Sequence, residues 1–251
     1  MPVPEGTTPD ASAPSRPDLA APAAARVAGR VLGAVFGPLA VLRRGRPLHP
    51  RGTVLRGTLR LGDDPHAPGA ELAYAGPALV RVSRSVGLPS GLPDVHGVAV
   101  RWEVDGRLHD LLLSGTGSGR LTRFLLAPRL RPWGGFLGSL MPFRTADGPV
   151  LLGAVPGPGA RGDADDPDLR VDLLLLSARA GGPWQRCGRL VAEEVDPDAD
   201  VRFEPVLHVP GPYRTYGWAA ALRLPAYAAA RRRSPRRPTR ATGTARRYSG
   251  G

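Results

Sequence analysis

The sequence predicts an α+β chain that is mainly β, with an antiparallel barrel or sandwich core and a few flanking helices. Three observations predict it. Short extended runs of six to nine residues recur through the middle of the chain, each bounded by Gly or Pro. Within them apolar residues alternate with period two: Thr53, Leu55, Gly57, Leu59 and Leu61 share one face, and Val98, Val100 and Trp102 share another. Finally, 251 residues with 42% hydrophobic content suit one sizeable core, since single β domains of this length are ordinary.

Residues 1–18 are rich in Pro, Ser, Thr and acidic groups without apolar periodicity, so they are expected to be disordered. Residues 19–43 read as a helix whose apolar stripe is Val27, Leu32, Val35, Phe36 and Leu39. Arg26, Arg30 and several Gly and Pro residues make that segment a costly bilayer span, and the acidic stretch before it lacks the basic start of a secretory leader. The expected domain fills residues 44–230. Its strands are expected over 53–61, 78–86, 97–104, 107–113, 150–155, 169–177 and 190–195. Between them, 121–130 is expected to be a short helix, and the aromatic, Gly-rich connection 132–143 to line a pocket. Residues 216–233 read as an Ala-rich helix that Pro225 kinks or restarts. Residues 231–251, basic and nearly free of large apolar groups, are expected to be a disordered tail.

Net charge is +12, yet every basic residue is Arg and none is Lys, which together with abundant Ala, Gly and Pro points first to coding bias. Eight of the arginines fall in 231–251, leaving +4 on the rest of the chain. The tail therefore suits weak contact with nucleic acid or an anionic membrane, or simple solvation. One cysteine, Cys187, forms no internal disulfide and agrees with a reducing, cytoplasmic setting. The five histidines contain no pair spaced i, i+4, which argues against a helical zinc site. A nucleophile elbow, a P-loop and a dinucleotide fingerprint are all missing, so hydrolase and nucleotide readings lose their usual support.

Arg46-x-x-His49-x-x-Gly52, continuing through Gly57 into an apolar run, resembles the catalase segment in which an arginine near the haem propionates precedes the distal histidine. Val80-Arg81-Val82-Ser83 and then Pro93 to Trp102 are similar to the catalase run "VRFS…DPRGFAVKF", in the same order and at the same separation. Asp110-Leu111-Leu112-Leu113 looks like the catalase "DLVG", which leads to the distal asparagine. Near the C-terminus, Arg223-Leu224-Pro225-Ala226-Tyr227 resembles the catalase R-x-x-x-Y, whose tyrosine is the axial haem ligand. Elements at 184–190 and 203–211 also match in order, so the likeness covers about 43–230.

The resemblance implies a catalase-type antiparallel barrel and a haem cofactor. His49, Ser83 and Ser114 would be the catalytic residues, Arg46, Arg81 and Arg223 would bind the cofactor, and Tyr227 would ligate the iron. Arg223 would keep the Tyr227 phenolate ionised, and Ser83 would hold the His49 imidazole in one tautomer. The substrate implied is hydrogen peroxide or an organic hydroperoxide, handled by catalase, peroxidase or allene-oxide-synthase-like chemistry. Two departures stand out. Ser114 replaces the distal asparagine, and Ala228-Ala229-Ala230-Arg231 replaces the family's "DTHRHR". These favour a second reading, a catalase-like barrel that has lost haem and serves as a binding or structural module. A homo-oligomer is compatible with either.

Overall fold

A computed structural model describes residues 52–219, apart from 86, 88–90, 200 and 206. Ten strands form one antiparallel sheet: β1 (Gly52–Leu61), β2 (Tyr74–Arg84), β3 (His96–Val104), β4 (Arg107–Gly115), β5 (Leu137–Gly138), β6 (Phe143–Thr145), β7 (Gly148–Pro156), β8 (Val171–Arg179), β9 (Gln185–Val195) and β10 (Arg214–Thr215). Their order is β10-β6-β7-β5-β4-β3-β2-β1-β9-β8, and an additional β7–β8 pairing closes eight of them into a barrel. β6 and β10 extend from β7 as a short tab.

Alternation decides which side chains fill the barrel. The face of β1 that carries Leu55, Leu59 and Leu61 points inward, opposite Val80 and Val82 of β2, and β3 continues with Val98, Val100 and Trp102. Leu111 and Leu113, Val150 and Leu152, Leu173 and Leu175, and Leu190 complete the core. The barrel is a packed core, as expected for eight strands. Its ends are stoppered by loops: Thr53 Oγ1 donates to Ala164 O at one mouth, and at the other Tyr213 donates to Gly69 O at 2.6 Å.

Curvature comes from local backbone devices. β1 and β9 slip register between Arg56 and Gly57, and β8 and β9 between Leu175 and Leu176, two bulges that sharpen the twist a closed sheet needs. Gly57 and Gly188 sit at these irregularities, where an added Cβ would overlap the carbonyl oxygens of Val191 and Arg60. The β3–β4 hairpin turns on Asp105-Gly106, with φ of 51° and 74°, the left-handed pair that a two-residue hairpin favours.

Five of the expected strands fall within two residues of their observed limits at both ends. β2 begins four residues earlier than expected, because Tyr74-Ala75-Gly76-Pro77 is too poor in large apolar groups to display a period. β9 begins five earlier, through Arg186 and Gly188, for the same reason. The helix expected over 121–130 is corrected to a single 3₁₀ turn, Thr122–Phe124, followed by extended chain. The backbone there is engaged elsewhere: Thr116 bridges Leu126, and Asp94 bridges Arg129. Pro128 also lacks the amide a continuing helix would need. Of the helix expected over 216–233, only 216–219 is described: Tyr216 lies outside a helix and 217–219 are helical. Residues 1–18, 19–43 and 231–251 lie outside the described residues.

Candidate outer-face site

Because Val82, Val98 and Leu113 face the core, the residues beside them face outward. Strand pairing then aligns Gly52, Ser83, Gly97 and Ser114 in one row across β1 to β4. The next outward row is Val54, Arg81, Ala99 and Leu112. Three candidate residues from the sequence, Arg81, Ser83 and Ser114, therefore share one outer face. Ser83 and Ser114 stand two strands apart, roughly 10 Å by strand spacing, and Gly97 between them carries no side chain.

The face is shallow by composition. Five of the eight positions are Gly, Ala or Ser, and the Arg81 side chain lies in the space that a larger residue at 52 would occupy. A Cβ added to Gly52 would stand 2.9 Å from Arg81 Nε and 2.7 Å from Val82 O. Ser83 is buried, with its hydroxyl 3.5 Å from Gly97 O, while Ser114 and Arg81 are half-buried. His49, Arg46, Arg223 and Tyr227 lie outside the described residues. In sequence, His49 stands three residues before Gly52, the first residue of the row.

The far end of the same face is covered by Arg202, Phe203, Glu204 and His208. Asp110, with no exposed surface, accepts two hydrogen bonds of 2.6 Å from Arg101 and one of 2.6 Å from the Glu204 amide. His208 Nδ1 lies 3.0 Å from the same carboxylate, and the Arg101 guanidinium sits over the Phe203 ring at 5.2 Å. This network was not anticipated from the sequence, although the charged Asp110 heading an apolar strand was a signal that something must neutralise it. The connection 132–143, expected to line a pocket, instead supplies packing aromatics: Phe136 meets Trp184 at 4.7 Å, and Trp133 donates to Gly162 O at 2.9 Å. A cavity of about 420 Å³ opens at the opposite mouth of the barrel, lined by polar loop residues that include His66, Glu71, Arg179 and Gln185.

At the mouth near Ser83, His96 is buried, its Nε2 3.1 Å from Arg129 O and its Nδ1 3.9 Å from Asp163 Oδ1. Desolvation by burial pushes its pKa below the ordinary histidine value. Among the described residues, no helix is long and apolar enough to cross a membrane.

No protein-family model matches the sequence, and no curated protein matches it. Solved structures do. Catalase A from Saccharomyces cerevisiae is similar with a TM-score of 0.51 and 12% identity, over 78% of this chain and 63% of that one. A fungal catalase is similar with a TM-score of 0.46 and 13% identity, over 74% of this chain and 59% of that one. The chain thus spans about three fifths of the length of these catalases. What the closed eight-stranded barrel and the likeness to catalase A together show is a catalase-like fold.

Proposed function

We propose that the outer face of β1 to β4 is a haem site and that the chain is a haem-dependent oxidoreductase acting on hydrogen peroxide or an organic hydroperoxide. The observation that carries this reading is the row Gly52, Ser83, Gly97 and Ser114 with Arg81 beside it. Small residues leave a flat face that a planar ring fits, and Arg81 supplies a cation for an acidic substituent at its rim. When bound, haem would supply the redox chemistry at the peroxide bond. The chain's own groups would do the rest. Arg46, Arg81 and Arg223 would hold the cofactor's carboxylates, and Tyr227 would ligate its iron. Ser83 Oγ would orient the His49 ring, whose free nitrogen would take a proton from the peroxide and return it to the departing oxygen. Ser114, with a single hydroxyl, would hold the substrate less firmly than an amide does.

Protein purified from haem-supplemented cells is expected to show a Soret band that Tyr227→Phe abolishes. A colourless protein that takes up no haem on reconstitution would overturn the proposal. The substitution of Ser114 for the family's asparagine favours a second reading, a barrel without haem that acts as a binding or structural module, and the same spectrum separates the two. We further propose that the Arg-rich tail, 231–251, makes weak salt-sensitive contact with nucleic acid or anionic membrane. Deleting residues 234–251 is expected to abolish that contact.

A further inference from the structure

Residues 118–131 cross the outside of the barrel beside the β3 and β4 ends and present an unusual surface. Leu121 is 81% exposed, Leu130 59% and Leu125 44%. Isolated exposed leucines are ordinary, but three within ten residues are not scattered. Arg120 and Arg131 are exposed alongside them, and neither forms an ion pair among the described residues. From 111 to 146 the chain has five arginines and no acidic residue. The nearby Asp94 is buried, its carboxylate accepting from the amides of Gly87 and Val95 at 2.7 Å. The acidic turn at 163–168 approaches the inner end of the segment, where Asp163 lies 3.9 Å from His96 and the His96 Nε2 meets Arg129 O, and just beyond it, where Trp133 donates to Gly162 O.

The leucines are held outward by a rigid frame. Arg129 donates to Thr116 O at 2.6 Å and to Phe136 O at 2.8 Å, and its backbone pairs with Asp94 in both directions. Arg123 turns inward, donating to Gly119 O at 3.0 Å with its guanidinium 4.8 Å from the Trp184 ring. With those two arginines and the backbone so engaged, the exposed side chains have no route into the core without breaking the frame.

We propose that residues 118–131 are a contact surface for an anionic lipid bilayer, with Leu121, Leu125 and Leu130 entering the headgroup–acyl boundary and Arg120 and Arg131 meeting lipid phosphates. Apolar groups beside cations that form no ion pair among the described residues, on a segment with no carboxylate of its own, match the two free-energy terms of interfacial binding. Nucleic acid fits less well, because leucine has no planar face on which a base could stack. The contact is independent of the haem proposal and of the Arg-rich tail.

The test uses the full chain with vesicles of phosphatidylglycerol and phosphatidylcholine, against phosphatidylcholine alone. Leu121→Cys carries an environment-sensitive dye, while Cys187, buried inside the barrel, stays unlabelled. Emission is expected to shift to the blue on anionic vesicles and not on neutral ones. Leu121→Ser with Leu130→Ser, both on exposed positions and checked for unchanged melting, is expected to weaken binding at least about tenfold. Vesicle binding without a blue shift would assign the contact to the tail and overturn the proposal. So would unaltered affinity in the double variant, no vesicle binding at all, or an equal shift on adding an oligonucleotide.

Discussion

Asp110 holds one end of the outer face by itself: one carboxylate accepts from Arg101, from the Glu204 amide and, at 3.0 Å, meets His208. Removing it strands the Arg101 cation beneath Arg202, Phe203 and Glu204, so Asp110→Ala is expected to cost about 3–5 kcal/mol, read by urea denaturation. Arg101→Met together with Asp110→Leu should cost much less, because it leaves no uncompensated charge. His96 makes a different prediction. Its pKa is depressed in the fold, so the unfolded chain binds the extra proton first, and stability is full above about pH 6.5 and falls as pH drops through that value. Urea midpoints at pH 7.5 and 5.5 should therefore differ, and by less in His96→Gln. Neither role was legible beforehand, because both depend on a partner far along the chain: Asp110 on Glu204 and His208, His96 on Arg129. Ser83 and Arg81 were legible as neighbours because they lie two apart on one strand, where period two puts them on one face.

At the level of elements, glycine marks two kinds of position that the sequence cannot tell apart. Gly106 has φ +74° with open space around it, so Gly106→Ala should cost only the left-handed conformation, about 1–2 kcal/mol. Gly188 lies against the Arg60 carbonyl, and Gly188→Ala must push β1 and β9 apart, for an expected loss above about 3 kcal/mol by thermal melting. Strands with clear alternation, β1 and β3, announced their own limits. The segment 121–130 did not, because Leu and Arg at near-helical spacing read the same whether the backbone bonds to itself or to Thr116 and Asp94. What decided it was the set of acceptors already in place on the neighbouring chain.

For the molecule as a whole, barrel closure seals Cys187 inside the core, and burial pushes its thiol up to about 12. Alkylation of Cys187 at pH 8 should therefore be slow and should track global opening, with a rate that rises across the urea transition and not before it. A fast native-state reaction would mean that the β8–β9 wall opens locally. The overall architecture was partly legible. Periodicity supplied most of the strands, and the order of motifs suggested which kind of sheet they form. The closing pair, β7 with β8, was not legible because periodicity marks a strand and not its partner, and the tab of β6 and β10 left no trace because strands of two or three residues carry no period.

The β1–β9 seam has a consequence for how the chain acquires this shape. Gly57 pairs with Ala192, so one flank of β1 waits for almost the whole domain to be synthesised before its partner exists. Pairing across such a separation is slow, because the closure entropy is lost before the contacts form. In the interval β1 is a bare edge, and Arg56 and Arg60 on its outer face supply the like charges that keep two nascent copies from joining there.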